Sequence, residues 1–243
     1  MVGLLENINL FYGNMDTFAN LILNNKEKKK YFAINTDCYN ITDRDEEYRN
    51  ILIDNTNVIY VDGAGIIMGQ KMTKGKVAEE RIATTDLFIE LLNHSNQHKV
   101  YLLGGRKGTA EKVIENMKDK YPKVNFVGSH HGFFDKSKSE CVINDINKKK
   151  PDILFIGFGC PSQEKWVTDN FEDILATNFV TCGGLFDYYS DNVKRAPLWV
   201  QKAGLEWFFR FLQEPRRLFK RYFFGNTIFL LKIIRLKMKG RKL

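Results

Sequence analysis

An α/β fold, with a Rossmann-like, mostly parallel sheet covered by helices on both faces, is predicted by three features of this 243-residue chain. Short β-branched and aromatic runs alternate with amphipathic helical stretches, the pattern of a parallel sheet crossed by helices. Several of the runs end in glycine-bearing turns, where such sheets bind ligands. The basic excess is confined to one end of the chain, which sets a charged appendage apart from a nearly neutral body.

In chain order, strands are expected at residues 31–36, 58–61, 99–103, 124–129, 153–157 and 179–182, each rich in Val, Ile, Phe or Tyr and flanked by turn residues. Between them, apolar positions recurring every three or four residues predict helices at 15–24, 85–94, 109–120, 138–148 and 163–170. A hydrophobic content of 44% without a Ser/Gly/Pro-rich tract indicates a folded chain with a substantial core. Cys38, Cys141, Cys160 and Cys182 form no CxxC or Cys/His zinc spacing and read as free thiols of a reducing compartment. The first residues lack a basic segment followed by an apolar one, so no secretory signal is expected and the chain is assigned to the cytoplasm.

Residues 207–243 carry eleven Lys/Arg against the single acid Glu214, a local charge of +10 that leaves residues 1–206 at −2. The chain therefore divides into a body, residues 1–194, and an appendage, residues 195–243. At about 100° per residue, Phe211, Leu212, Pro215, Leu218, Phe219, Tyr222 and Phe223 fall on one side and Arg210, Arg216, Arg217, Lys220 and Arg221 on the other. That is the pattern of a helix lying at an anionic membrane surface. Docking on the protein's own body, recruitment of a partner helix and contact with nucleic acid fit the same pattern. The longest uninterrupted apolar run here, 228–231, is far short of the roughly 20 residues that span a bilayer, so the appendage is expected to lie on a membrane and not cross it.

The strand ends carry the residues suited to chemistry. Gly104 and Gly105, then Gly159, then Gly183 and Gly184 follow three strands and would let backbone N–H groups approach a phosphate at a helix start. Tight turns without a ligand account for each one singly, while three together favour a nucleotide-sized ligand. Neither GxGxxG nor a Walker lysine motif is present, which argues against a dinucleotide-dependent oxidoreductase. Asp62 follows the second strand and is placed to take a proton from an acceptor hydroxyl, or to close an Asx turn or helix cap. Asp43 and Asp45 have the DxD spacing of a metal site but lie in a charged run that reads as solvated surface. The His130–His131 pair reads as a turn, because adjacent side chains rarely converge on one ligand.

Glu80-Arg-Ile-Ala-Thr-Thr-Asp86, Leu102-Leu-Gly-Gly105, His131-Gly-Phe-Phe134, Pro151-Asp-Ile-Leu-Phe-Ile-Gly-Phe-Gly-Cys-Pro-Ser-Gln-Glu-Lys-Trp166, Gly183-Gly-Leu-Phe-Asp187 and Lys194-Arg-Ala-Pro197 occur in this order. They are followed by Gly204-Leu-Glu-Trp207, Gln213-Glu-Pro-Arg-Arg217 and Arg221-Tyr222. The ordered set, over roughly residues 30–226, resembles the WecG/TagA/CpsF glycosyltransferases. The resemblance implies an inverting enzyme that moves an N-acetylmannosamine or related sugar from a UDP-linked donor to a polyprenyl-diphosphate-linked saccharide, with no metal or other cofactor. It implies Asp62 as catalytic base and places Arg81 and Gln163 in the active site. Further substrate contacts are expected at Asn35, at the strand-end glycines Gly104, Gly105, Gly159 and Gly184, and at Thr85, Asp86 and Asp187 within the quoted segments. Arg210, Arg216, Arg217 and Arg221 are implied to meet the membrane and the lipid diphosphate, at the inner face of the cell membrane. A homo-oligomer is expected, and a nucleic-acid partner is not. A non-catalytic membrane scaffold of the same fold is the alternative. Where many relatives have a Thr-x-Asn-Pro-Glu segment, this chain has Ala33-Ile-Asn-Thr-Asp37, so Asn35 is kept and the threonine hydroxyl is lost.

Overall fold

The computed structural model describes residues 4–95, 98–202 and 204–243; the side chains of Lys202, Lys220 and Arg221 also lie outside the described set. Six strands, β1 (Lys29–Ile34), β2 (Val58–Val61), β3 (Lys99–Gly104), β4 (Asn125–His130), β5 (Ile153–Gly157) and β6 (Asn178–Thr181), form one sheet in the order β2-β1-β6-β5-β3-β4. Every pairing is parallel, with Ile34 opposite Val61, Tyr31 opposite Val180 and Gly104 opposite Gly157. All six carboxyl ends therefore lie along one edge, which is where the candidate residues emerge.

The helices are α1 (Met15–Asn24), α2 (Thr36–Ile41), α3 (Glu46–Ile53), α4 (Ala64–Met72), α5 (Thr84–His94), α6 (Thr109–Lys118), α7 (Glu140–Lys149), α8 (Ser162–Asp169) and α9 (Leu185–Tyr189) in the body. In the appendage they are α10 (Leu198–Lys202), α11 (Glu206–Gln213), α12 (Pro215–Phe219) and α13 (Gly225–Met238), with a π-helical turn at Lys220–Phe224 between the last two. The strands apart from the edge strand β4 are largely buried on both sides because helices cover both faces. Phe32, Ile34, Leu103, Ile156 and Phe179 face one buried cluster, and Tyr31, Tyr60, Leu102, Phe155 and Val180 face the other.

All six expected strands are present, their ends shifted by at most two residues. The first strand was expected to include Thr36, but Asn35 turns the chain there. Its Oδ1 accepts from the N–H groups of Asp37 and Cys38 at 3.0 and 3.1 Å and caps α2, which satisfies donors that a helix start leaves open.

The appendage is not one continuous amphipathic helix. Pro215 has no N–H to donate and disfavours helical geometry in the residue before it; Glu214 accordingly leaves the helix at φ −132°, ψ 56°. Arg210, expected on the solvated side, instead lies in the interior at 6% exposure, because the face of α11 that carries it turns toward Asp187 of the body and toward Glu214, with which it is paired. Beyond the π-helical turn, α13 returns to the body. Phe229 and Ile233 are buried, Phe229 packs edge-on against Tyr39, and Lys232 reaches Asn40 and Asp43.

Candidate active site

The end of β2 is bonded to the end of β1, since the N–H groups of Asp62 and Gly63 both donate to Ile34 O, at 3.0 and 3.3 Å. Asp62 and Asn35 thus stand side by side. Asp62 is half-buried, and its Oδ1 accepts the Thr84 N–H at 3.2 Å. Thr84 is in turn fixed by its hydroxyl, 2.9 Å from the phenol of Tyr60, which also reaches Thr181 O at 3.3 Å. Burial first, and the nearby Asp62 charge second, push the Tyr60 phenol well above its ordinary range, so it remains protonated and keeps these bonds. The next residue, Thr85, accepts the Tyr189 hydroxyl on its carbonyl at 2.8 Å.

Gln163 joins two of the glycine turns. Its Oε1 accepts both the Gly159 and the Gly183 N–H at 3.1 Å, while its Nε2 donates to Glu164 Oε1 at 2.7 Å. This locks the β5 and β6 exits at a fixed spacing. Glu164 is fully buried, and burial raises its carboxyl pKa above the ordinary 4.5 despite the Gln163 bond. The glycines at the end of β3 have a packing reason: a Cβ on Gly104, at φ +155°, would lie 2.5 Å from Gly157 O. Gly105 gives its carbonyl to Gly132 N at 2.8 Å, so the residues following β4 fold over this turn. Gly159 and Gly183 also have positive φ, and a Cβ there would meet open space.

Arginines and acids meet where the appendage joins the edge. Arg81 Nη2 lies 3.3 Å from Glu206 Oε2, and Arg195 Nε lies 3.3 Å from Glu206 Oε1. Arg195 Nη2 is paired with Asp86 at the start of α5. Arg210 pairs with Asp187 at 3.3 Å and Glu214 at 2.7 Å and lies over the Tyr188 ring, 4.7 Å from its centre. It also approaches Gly184, where a Cβ would be 4.0 Å from Arg210 Nη2. Its Nη1 is buried without a protein partner.

The expected residues thus gather into three neighbouring groups: Asn35 with Asp62 and the Thr84–Thr85 pair; Gln163 with Gly159; and Gly184 with Asp187 and Arg210. Arg81 and Asp86 are linked through Arg195 and Glu206. Arg216 and Arg217 stand apart on the surface, Arg217 paired with Glu214, and the side chain of Arg221 lies outside the described residues. Asp45 caps α3 and pairs with Lys165, and Asp43 pairs with Lys232, so both are engaged as surface charges. Among the described residues no three His, Cys, Asp or Glu side chains are grouped to hold a metal ion. His130 and His131 stack on each other, with ring centres 4.4 Å apart.

The sequence model of the Glycosyl transferase WecG/TagA/CpsF family matches residues 5–243. This chain belongs to that family. Similar curated proteins carry the name N-acetylglucosaminyldiphosphoundecaprenol N-acetyl-beta-D-mannosaminyltransferase. One, from Bacillus subtilis (strain 168), is 32% identical over 176 residues, 72% of this chain and 67% of the relative. Another, from Staphylococcus aureus (strain MW2), is 30% identical over 244 residues, 100% of this chain and 90% of the relative. As a WecG/TagA/CpsF protein the chain is a glycosyltransferase of cell-surface polymer synthesis.

Sequence reasoning gave no role to Glu206, Arg195, Glu164 or Thr84. Each stands inside a quoted motif, which was the available signal, but what each does depends on partners distant in sequence. Glu206 is separated from Arg81 by 125 positions.

Proposed function

We propose that this family member transfers N-acetylmannosamine, or a related hexosamine or uronate, from a UDP-sugar to a polyprenyl-diphosphate-linked saccharide with inversion at the anomeric carbon. The observation that carries this reading is the half-buried Asp62 carboxylate, fixed by the Thr84 N–H at the edge where Arg81 and Arg195 also converge. Asp62 accepts the proton of the acceptor hydroxyl as that oxygen attacks the anomeric carbon. The bond to the nucleoside diphosphate breaks in the same displacement, and guanidinium groups and backbone N–H groups meet the charge that develops on it. The names of the relatives support the choice of sugar and of a lipid-diphosphate acceptor, and their β-linked product is what single displacement on an α-linked nucleotide sugar yields.

A lipid-linked acceptor calls for access to a membrane surface. No helix among the described residues is long and apolar enough to cross a bilayer. The appendage instead exposes Leu198, Trp199, Leu212, Phe223 and Phe224, and it exposes Arg216 and Arg217 as well. Aromatic and basic side chains mixed in this way suit the headgroup boundary of an anionic membrane, and peripheral attachment there is part of the proposal. Asn35, committed as it is to capping α2, is proposed to present its amide side to substrate.

The test is transfer from a panel of UDP-sugars to a short-chain polyprenyl-diphosphate-GlcNAc in detergent, with product anomer assigned by NMR. Transfer of one N-acetylhexosamine to give a β-linked product supports the reading. A retained anomer overturns the mechanism, and the absence of transfer with every donor and acceptor favours a scaffold role.

A further inference from the structure

Glu206 is an acid at the first position of α11, and its carboxylate is received by two guanidinium groups from two separate elements. Arg81 comes from the segment that follows α4, and Arg195 from the segment that precedes α10. Each holds one oxygen, and both separations are 3.3 Å, longer than the roughly 2.7–2.9 Å of a tight charge-assisted bond. All three side chains are only partly exposed, at 24% for both arginines and 15% for Glu206. Asp86 holds Arg195 from the other side, so Arg195 would stay in place without Glu206.

Two guanidinium groups that share the two oxygens of a carboxylate are also spaced to share the oxygens of a phosphoryl group, which carries more charge. The pair is close to the proposed base. The Ile82 N–H, next to Arg81, donates to Val61 O at 2.8 Å, and Val61 is the neighbour of Asp62. Glu206 has somewhere to go, because an acid at a helix N-terminus is favoured by the local dipole without any partner.

We propose that Arg81 and Arg195 together form a diphosphate subsite and that Glu206 occupies it as an internal carboxylate, which an incoming diphosphate displaces. This rests on the proposed glycosyltransferase chemistry and adds to it a second guanidinium, Arg195, and a built-in competitor. Binding of the diphosphate frees the start of α11 from the body, so the appendage responds to occupation of the site. The internal competitor lowers apparent affinity by the fraction of molecules in which Glu206 is seated.

The diphosphate has two possible sources, the nucleotide donor and the lipid acceptor, and the experiment separates them. Binding of inorganic pyrophosphate, UDP and farnesyl diphosphate to the full chain is measured by calorimetry for the wild type, Glu206→Gln, Arg195→Gln and Arg195→Lys. No transfer step is involved, so failure of the proposed reaction would leave this measurement intact. Glu206→Gln is expected to tighten pyrophosphate binding about three- to tenfold, and Arg195→Gln to weaken it about tenfold. Arg195→Lys, which keeps the charge and loses the fork, should recover only part of the loss. A gain with UDP assigns the subsite to the donor, and a gain with farnesyl diphosphate assigns it to the acceptor. Trp207, adjacent to Glu206, should change its fluorescence on pyrophosphate addition, a change absent in Trp207→Phe. Unchanged or weaker binding of all three ligands by a folded Glu206→Gln protein would overturn the proposal.

Discussion

The Thr84 N–H and Asp62 Oδ1 are 3.2 Å apart, a bond that joins the first turn of α5 to the residue after β2. It fixes one carboxylate oxygen with a backbone donor that cannot rotate away, and the buried Tyr60 phenol secures Thr84 from behind. A carboxylate oriented in this way needs no reorganisation to meet an acceptor hydroxyl.

Replacing Asp62 with Asn separates basicity from architecture. The amide oxygen of Asn accepts the Thr84 N–H as the carboxylate does, so the melting temperature should stay within a few degrees. Transfer should fall about 10²- to 10⁴-fold, the usual worth of a general base. Steady-state kinetics and a thermal melt on the same preparation check both halves. Full activity in Asp62→Asn would rule out the proposed base.

Gly104 and Gly108 both have positive φ, at +155° and +85°, but differ in their surroundings. A Cβ at 104 would press on the Gly157 backbone at 2.5 Å, whereas at 108 it would meet nothing within 4 Å. Gly104→Ala should therefore cost about 3 kcal/mol, combining overpacking with backbone strain. Gly108→Ala should cost about 1 kcal/mol, from strain alone. Urea midpoints for the two variants test the difference, and equal costs would mean that the close approach of β3 and β5 does not constrain residue 104.

The sheet was legible because its strands are continuous β-branched and aromatic runs that no helix pattern imitates. Several of the shorter helices, among them α2, α3, α4 and α9, were not. No helix was expected over α4, whose sequence contains Gly65 and Gly69, and a Cβ on Gly69 would lie 2.8 Å from Leu243 and 2.9 Å from Ile233. Glycine is there because the end of the chain packs on α4, a contact that no local pattern records. At the site, Asp62 could be placed from its position after a strand, and Gln163 from the family motif that contains it. Arg195 and Glu206 could not, because their meaning lies in an ion-pair network assembled from α5, the segment before α10 and α11. The charge count that set the appendage apart began at residue 207 and so missed the acid that ties it to the body.

The exposed face of the appendage should bind anionic vesicles. Arg216 and Arg217 are exposed, and near an anionic surface each basic residue is worth about 1 kcal/mol. The double change Arg216→Ala, Arg217→Ala should weaken cosedimentation with phosphatidylglycerol vesicles about tenfold or more, leaving fold stability within about 0.5 kcal/mol. Rising salt should erase the difference between variant and wild type. Trp199→Ala, which removes apolar contact and no charge, should weaken binding at every salt concentration. Vesicle binding indifferent to all three changes would place the membrane contact elsewhere.

Glu164 gives the protein a predictable pH dependence. Its carboxyl is fully buried, accepts the Gln163 amide at 2.7 Å, and has a pKa raised above 4.5 by burial. In the unfolded chain the same group ionises near its ordinary value. Between those two pKa values the folded state binds the extra proton, so stability falls as pH rises. Below about pH 4.5 the proton is bound in both states and the effect vanishes. Glu164→Gln keeps an acceptor for Gln163 and removes the proton, and so should remove this slope. The stability of the variant relative to wild type should therefore grow as pH rises from about 4.5 toward the folded pKa of Glu164 and level off above it. Urea unfolding of both proteins across that range tests it. A difference that shrank with rising pH would mean that Glu164 is ionised in the folded state and that its charge, and not its neutral form, holds the Gln163 clamp.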